Sequence, residues 1–288
     1  MSSSVRDLEK RALSGAREHF GDHRAALTRL RGSWFVAQHK LLTMRSYMYT
    51  ILSSSIFNPL MYLFALGIGI GSYIDRNSGG NVLYGVSYLT YVGPALLSSA
   101  AINSAFEETT FPVMGGFRWT REFYAMHATP LQPYQIANGV MIAAAIRVVF
   151  TVTVFWLMLF LFGALPRGTA ILALPAAILS GMGIGAVMSA LAAKLTDDDG
   201  WFVLINRMVL APMFLFSGTF YPLEQMPLGL RWIGWLSPLW HATELGRWAG
   251  FGLELRPERL IWHTAYLVLI LGLGLVMMWN EFEKRLIE

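Results

Sequence analysis

The fold of this 288-residue chain is decided by one stretch, which reads APMFLFSGTFYPLEQMP at residues 211–227 and LRWIGWLSPLWH at residues 230–241. An apolar run about half a bilayer long ends at Ser217 and Gly218, and three prolines follow at Pro222, Pro227 and Pro238. Irregular backbone at membrane depth is tolerated only where protein or water satisfies the freed amide groups. Tryptophans interleaved with polar residues are typical of the headgroup boundary. The pattern predicts two short helices that dip into a membrane and return, with an aromatic surface loop as the alternative.

Composition assigns the chain to the membrane proteins. Hydrophobic residues make up 55% of it and charged residues only 14%, whereas an average soluble domain is about 25% charged. The net charge of +4 does not indicate nucleic-acid binding, because the basic residues are concentrated in one terminal segment. Cysteine is absent, so the chain has neither disulfides nor thiol chemistry.

The first 45 residues are predicted to form a separate polar segment. Nine basic residues precede the first apolar run at Tyr47, which argues against a cleavable signal peptide. From Ala26 to Leu41, apolar residues recur at helical spacing opposite basic ones, which predicts an amphipathic interfacial helix. A soluble helix packed on a partner fits the same spacing. We therefore divide the chain into an N-terminal segment, residues 1–45, and a single transmembrane domain, residues 46–288.

Six apolar stretches predict six membrane crossings, because about 20 apolar residues span a bilayer. They lie at residues 47–71, 84–105, 136–162, 171–192, 201–216 and 260–279. In the fourth stretch, Gly181 and Gly185 predict close packing against another helix. Lysine and arginine are concentrated in the segments that this topology places on the side of the termini, which predicts that both termini are cytoplasmic.

The region between the second and third crossings, residues 107–133, is amphiphilic and too polar to cross. It carries aromatic and charged residues ahead of the helix-breaking sequence TPLQP at residues 129–133. We expect a short cytoplasmic helix here, with an interfacial loop that has no partner as the alternative.

Two arginines, Arg147 and Arg207, fall within predicted crossings. A cation at the centre of a transmembrane helix costs about 2.5 to 3.5 kcal/mol on insertion scales, so such residues mark pathways or meet an acidic partner. We expect Arg147 and Arg207 to line a pathway for an amphipathic or anionic substrate. Contacts with lipid phosphates, or with Glu107 and Glu108, are the alternatives.

Sequence motifs for catalysis are missing. No Gly-x-x-x-x-Gly-Lys-Ser/Thr loop is present to cradle ATP phosphates, and neither His-Glu-x-x-His nor Gly-x-Ser-x-Gly occurs. The six histidines are scattered. Three aspartates at residues 197–199 are adjacent and cannot easily converge on a metal, which favours a solvated loop. We therefore expect no enzyme activity, no metal and no cofactor in this chain.

The chain resembles the permease subunits of type-2 ABC exporters, in particular the nodulation lipo-oligosaccharide and multidrug exporter permeases. The resemblance is strongest between Gly181 and Gly252. It is carried by Leu215-Phe216-Ser217-Gly218, Phe220-Tyr221-Pro222, Met226-Pro227 and Leu236-Ser237-Pro238-Leu239, closing on Leu245 and Arg247. It implies an all-α polytopic membrane protein with six transmembrane helices, an N-terminal interfacial helix, a cytoplasmic coupling helix between spans 2 and 3, and an extracytoplasmic re-entrant helical hairpin between spans 5 and 6.

The same resemblance implies roles for particular residues. The coupling helix, which docks into the ATP-hydrolysing subunit, corresponds to Trp119, Arg121, Glu122, Phe123 and Tyr124. The re-entrant gate corresponds to Gly218, Tyr221, Pro222 and Pro238.

The implied assembly contains two copies of an ABC ATP-binding subunit, which hold ATP and Mg, and a second permease chain that is identical or related. Membrane lipids are partners and nucleic acid is not. The expected location is the cytoplasmic (inner) membrane of a bacterium or archaeon, and the expected activity is ATP-driven export of an amphipathic substrate such as a lipid, glycolipid, polysaccharide or drug-like molecule.

Two other classes of function remain as alternatives. A secondary carrier or channel that works without ATP would use Arg147 and Arg207 as ion-linked sites, but such carriers usually repeat a broken helix in both halves. Only one broken segment is evident here. A membrane-bound enzyme acting on lipids would need clustered acidic or histidine residues at one interface, and the sequence lacks such a cluster.

Overall fold

The computed structural model of the protein describes residues 31–77, 83–197 and 200–287. Every regular element in these ranges is helical. Helices satisfy their backbone hydrogen bonds within the segment, as hydrocarbon requires. The predictions for residues 1–30 and for two of the three aspartates at residues 197–199 lie outside the described residues.

The first half of the chain contains seven α-helices within the described ranges. They are α1 (residues 31–45), α2 (Met48–Tyr62), α3 (Ser72–Asn77), α4 (Tyr88–Thr109), α5 (Phe111–Arg118), α6 (Glu122–His127) and α7 (Pro133–Leu161). A π-helical segment, Leu63–Gly71, joins α2 to α3 without a break. The region predicted to hold a single helix between the second and third crossings contains two short helices, because the left-handed backbone of Arg121 (φ +51°) interrupts the helix between α5 and α6.

The second half contains the remaining helices of the described ranges. They are a 3₁₀ turn (Gly168–Leu172), α8 (Ala173–Lys194), α9 (Trp201–Ile205), a π-helical segment (Asn206–Leu210), α10 (Ala211–Phe216), a 3₁₀ turn (Leu223–Gln225), α11 (Leu228–Leu236), α12 (Pro238–Gly250) and α13 (Pro257–Ile287).

Four helical segments of the described residues are long and apolar enough to cross a membrane: Met48–Asn77, Pro133–Leu161, Gly168–Lys194 and Pro257–Ile287. The protein is therefore an all-α polytopic membrane protein. The 22 residues of α4 correspond to about 33 Å at 1.5 Å per residue, enough for the hydrocarbon core. Trp201–Phe216 is a shorter apolar helix, so the count of six crossings stays a prediction.

Helices α4 and α8 form the centre of the bundle, and they pack closely against each other at two glycines of α8. A Cβ atom on Gly181 of α8 would lie 2.7 Å from the carbonyl oxygen of Ala101 in α4, and one on Gly185 would lie 3.2 Å from the Cβ of Ala105. The packing role predicted for Gly181 and Gly185 is confirmed. On the other side of α8, a Cβ atom on Gly274 of α13 would lie 2.9 Å from the Cβ of Ala186. Small residues thus let three helices pack backbone to backbone.

The two ends of the bundle carry different elements. At one end, α13 terminates beside α5, where Phe282 and Phe117 stack edge to face at 5.0 Å. Arg285 there donates to the carbonyl oxygens of Ala193 and Leu195, at 2.5 and 2.7 Å, and so caps the C-terminus of α8. At the other end, α12 packs against the start of α13, where His241 lies beside His263. The candidate sites lie at these two ends and in a cavity between them.

Candidate functional site

A cavity of about 480 Å³ lies between α2, α4, α7 and α10. Its walls carry hydroxyl and amide side chains from Ser54, Ser55, Asn58, Ser99, Asn103 and Ser104. The hydroxyl of Thr151 in α7 bonds to those of Ser55 in α2 at 3.2 Å and Ser104 in α4 at 3.4 Å. Asn58 and Asn103 are exposed and Ser55 and Ser104 are buried, so the cavity is a cleft that is open on one side. Polar side chains in a cleft between apolar helices indicate a hydrated or ligand-binding space, because each would be expensive against lipid.

Arg147 lines this cavity and is held by two carboxylates. Its Nη1 donates to Glu108 and its Nη2 to Glu107, both at the end of α4. The side chain of Arg147 is 10% exposed, that of Glu108 4% and that of Glu107 58%. Arg147 therefore lies at the wall of the cavity, and its partners are the acidic pair named as an alternative. Its role in a substrate pathway stays a prediction. We call these three residues the Arg147 cluster.

Arg207 lies elsewhere. It is an exposed residue of the π-helical segment Asn206–Leu210 and does not line the cavity. Its neighbour Asn206 lines a second, smaller cavity of about 160 Å³. The structure therefore does not bring Arg147 and Arg207 together.

We call residues 217–250 the hairpin segment, which contains the predicted hairpin at residues 218–247. Two serines that are in contact lie at the two ends of its irregular part. Ser217 Oγ donates to Ser237 Oγ at 2.6 Å, and both residues are buried. Ser237 Oγ also accepts from the amide of Leu239 and so caps α12, with Pro238 in its first turn. The next residue after Ser217, Gly218, turns the chain at φ +70°, a conformation that favours glycine. Gly218 and Pro238 thus lie at the junction, Pro222 is buried and Tyr221 is partly exposed.

Arg247 anchors the hairpin segment from within, a role that the sequence did not reveal. It is among the largest fully buried side chains of the described residues. Nη2 donates to the carbonyl oxygen of Gly218 at 2.6 Å, Nε to that of Tyr91 at 3.3 Å and Nη1 to Glu244 at 2.9 Å. The guanidinium also lies 3.8 Å from the centre of the Tyr91 ring. Burial raises the pKa of Glu244, while the charge and hydrogen bond of Arg247 act in the opposite direction.

A sequence signal for Arg247 existed. Glu244 and Arg247 are three residues apart on one helix, at a spacing that allows an ion pair within an otherwise apolar segment. The sequence alone did not indicate that this pair is buried, because its burial depends on how α12 packs against α4.

Two histidines join the hairpin segment to the last helix. Nδ1 of His241 in α12 lies 2.8 Å from Nδ1 of His263 in α13, and both side chains are buried. Nε2 of His241 lies 3.0 Å from the carbonyl oxygen of Trp235 and therefore donates to it. His241 Nδ1 then accepts the proton of His263 Nδ1. Burial lowers the pKa of His241, so His241 is neutral at pH 7.

The predicted coupling region divides into an inward and an outward face. Phe123 is fully buried and stacks on Phe117 at 4.8 Å and on Phe282 at 5.7 Å. Glu122 binds Lys40 of α1 and also approaches His39 at 3.3 Å. These two predicted residues therefore hold α6 against the bundle.

The outward face consists of Trp119, Arg121 and Tyr124, all exposed; we call these three residues the α6 face. Arg121 has a φ of +51°, in the left-handed region. This conformation costs a non-glycine residue about 1 to 2 kcal/mol. Strained exposed residues are concentrated at functional sites, so Arg121 is a candidate contact residue.

Comparisons with known proteins agree with this architecture. The chain matches the model of the ABC-2 type transporter family over residues 34–251. It is 28% identical to Nodulation protein J of Rhizobium leguminosarum bv. viciae over 193 residues, which cover 66% of this chain and 71% of that protein. It is 29% identical to Nodulation protein J of Neorhizobium galegae over 195 residues, covering 68% and 72%. The family match spans most of the chain, including the cavity, the α6 face and the hairpin segment, and the chain therefore belongs to the ABC-2 type transporter family of membrane transport permeases.

Proposed function

We propose that this protein is the transmembrane permease subunit of an ATP-driven exporter, which moves an amphipathic substrate out across the cytoplasmic membrane. The observation that carries the proposal is the polar cavity of about 480 Å³, which lies between apolar helices and is open on one side. A substrate with a polar head finds hydrogen-bonding groups there, and its apolar part finds aromatic walls. Family membership and the similarity to Nodulation protein J support the same conclusion.

In this proposal, the energy for transport comes from ATP hydrolysis by a partner subunit. Two ABC ATP-binding subunits hold ATP and Mg, and each docks on the α6 face of one permease chain. A second permease chain, identical or related, completes the pathway. Both termini lie in the cytoplasm, so the α6 face meets the ATPase on that side and the hairpin segment closes the opposite side.

The contacts of α6 explain how docking reaches the bundle. Phe123 and Phe117 contact Phe282 near the end of α13, while Glu122 is bound to α1. A push on Trp119 or Arg121 is therefore transmitted to α1, α5 and α13 together, because close-packed side chains transmit displacement. Arg147 holds α7 to the end of α4 beside the cavity, and Gly218, Tyr221, Pro222 and Pro238 form the gate of the hairpin segment.

Arg207 keeps its proposed place on the pathway only in the assembled dimer. In one chain it is exposed and does not line the cavity, so a second permease chain must approach α9 and α10 to enclose it. Its replacement by Gln is expected to reduce export without reducing assembly.

The experiment is co-purification of the full chain with the ATP-binding protein encoded beside it, followed by an ATPase assay. Arg121→Gly is the sharpest variant, because glycine accepts the left-handed backbone and removes only the side chain. We expect Arg121→Gly and Trp119→Ala to lower the amount of bound ATPase about tenfold while thermal unfolding of the permease is unchanged or improved, since one good interface contact is worth about 1.4 kcal/mol or more.

Arg256→Ala removes an exposed cation near the start of α13 and is the matched control. If no ATPase binds the wild-type chain, the carrier or channel class replaces the proposal, and the Arg147 cluster becomes the ion-linked site to test. If ATPase binds and Arg121→Gly changes nothing, the exporter stands and the α6 face is not its docking surface.

A further inference from the structure

The charged residues in and next to the cavity make it acidic, although the sequence shows an arginine there. Glu107 and Arg147 are the charged residues that line the cavity. Glu108 does not line it but forms an ion pair with Arg147. Two carboxylates share one guanidinium, so the Arg147 cluster carries a formal net charge of −1. The cavity is therefore acidic at the position of Arg147, where the sequence suggested a free cation.

The hydrogen bonds decide which member of the cluster a ligand meets. Arg147 uses Nη1 on Glu108 and Nη2 on Glu107, and its Nε is buried without a partner. Glu107 uses Oε2 on Arg147, and its Oε1 has no hydrogen-bond partner among the described residues. With 58% of its side chain exposed, Glu107 is the charged group that a ligand reaches first.

Neighbouring cations do not change this balance. Lys40 lines a small adjacent cavity together with Glu108, but its ammonium group is bound to Glu122 and lies 4.7 Å from the centre of the Phe123 ring. Arg207 does not line the cavity.

The remaining walls suit the same kind of ligand. Tyr62, Phe155 and Phe214 present aromatic rings to the cavity, and aromatic faces attract cations as well as apolar groups. Hydroxyl and amide oxygens of serine and asparagine accept hydrogen bonds from an ammonium head. Apolar helices around a cleft strengthen the field of its charges, because low-dielectric walls focus field lines.

We propose that this cavity binds amphiphiles with a cationic head and excludes those with an anionic head, with Glu107 as the specificity-determining residue. The inference rests on the proposed role of the cavity as the export pathway. A cationic head placed beside Glu107 balances the net charge of −1 on the cluster. An anionic head at the same place is repelled, because the single guanidinium of the cluster is already shared by two carboxylates.

The test uses two probes with the same shape and opposite charge, tetraphenylphosphonium and tetraphenylborate. Saturable binding of each to the purified full chain is measured by equilibrium dialysis in one detergent, without ATPase. We expect tetraphenylphosphonium to bind at least about tenfold more tightly, because a unit charge at contact distance in a partly buried site has an effect of this order. Glu107→Gln should remove about tenfold of the tetraphenylphosphonium affinity, and Glu107→Asp should retain it.

Glu258→Gln changes the total charge equally at an exposed position outside the cavity and should leave both affinities unaltered. Equal affinities for the two probes, tighter binding of tetraphenylborate, or a Glu107→Gln variant that unfolds normally and binds as wild type would each overturn the inference. If Glu107→Gln fails to fold, the charge-retaining Glu107→Asp variant and the wild-type comparison of the two probes still decide it. Failure of the exporter proposal appears separately, as absence of a bound ATPase.

Discussion

Arg247 Nη2 donates a 2.6 Å hydrogen bond to the carbonyl oxygen of Gly218, which lies 29 residues earlier in the chain. The same carbonyl oxygen accepts a hydrogen bond from the Tyr91 hydroxyl at 3.2 Å. Tyr91 belongs to α4, whose later turns line the cavity. The turn that opens the hairpin segment is therefore fastened to the central helix, and neither can move without breaking contacts of the other.

Replacement of Arg247 by Met is expected to lower the free energy of unfolding by about 3 to 5 kcal/mol. The change leaves the Glu244 carboxylate buried without its cation and two carbonyl oxygens with fewer donors. Unfolding of the detergent-solubilised chain by a denaturing detergent measures the loss.

The control for this change is the double variant Glu244→Leu/Arg247→Met. It removes both charges and should recover much of the loss, because a buried ion pair can be replaced by apolar residues nearly without penalty. Arg231→Met changes another arginine of the hairpin segment, which donates hydrogen bonds to the carbonyl oxygens of Met226 and Glu224. It should lower the free energy of unfolding less than Arg247→Met does. An Arg247→Met variant as stable as wild type would contradict the anchoring role.

Gly181→Ala is expected to destabilise the bundle by about 1 to 3 kcal/mol, the usual penalty of overpacking. The added methyl group would lie 2.7 Å from a backbone oxygen of α4, and a backbone cannot rotate aside as a side chain can. The unfolding midpoint in a denaturing detergent reports the effect. Gly272→Ala in α13 is the matched control, because a Cβ there meets no atom within 4 Å and alanine favours helix. Equal midpoints for the two variants would refute close packing at Gly181.

Apolar runs of about 20 residues and their breaks predicted the helices well. Bilayer thickness and backbone satisfaction leave few choices for such a sequence, so the α7 and α8 boundaries fall within three residues of the predicted crossings. Gly181 and Gly185 could also be read from sequence, since small residues at i and i+4 lie on one helix face.

The partners of buried charges could not be predicted in the same way. Arg147 and Glu108 are 39 residues apart, and Arg247 and Gly218 are 29 apart, so each pairing depends on how separate helices pack. Glu122 and Phe123 face inward because α1 and α13 happen to cover that side of α6. A six-residue helix has too short a pattern to indicate which face is covered.

Acidification is expected to weaken the junction between α12 and α13. Burial lowers the pKa of His241 below its ordinary 6.5, so the unfolded chain binds a proton more readily than the folded one. The stability that neutral His241 contributes is complete above pH 6.5 and is lost as the pH falls below 6.5 towards the lower pKa of the folded state. The unfolding temperature should therefore fall between pH 7.5 and 5.

The difference between wild type and His241→Gln isolates this effect from Glu244, whose pKa burial raises. His241→Gln should be less stable at pH 7.5 but should show a flatter pH dependence. A wild-type slope unchanged by His241→Gln would show that the titrating group lies elsewhere.

The ion pair between Lys40 and Glu122 is expected to show a coupling energy of about 1 kcal/mol in a double-mutant cycle, near the upper end for pairs that are partly solvent-screened. Its side chains are 11% and 21% exposed, and it joins α1 to α6. The cycle combines Lys40→Met, Glu122→Gln and the double variant, with unfolding midpoints as the readout. Lys284 and Glu281 form the control pair, three residues apart on one helix with Lys284 60% exposed, and should give less than about 0.5 kcal/mol. If both cycles give the same energy, Lys40 does not hold α6, and the inward face of the coupling region depends on the Phe117, Phe123 and Phe282 cluster alone.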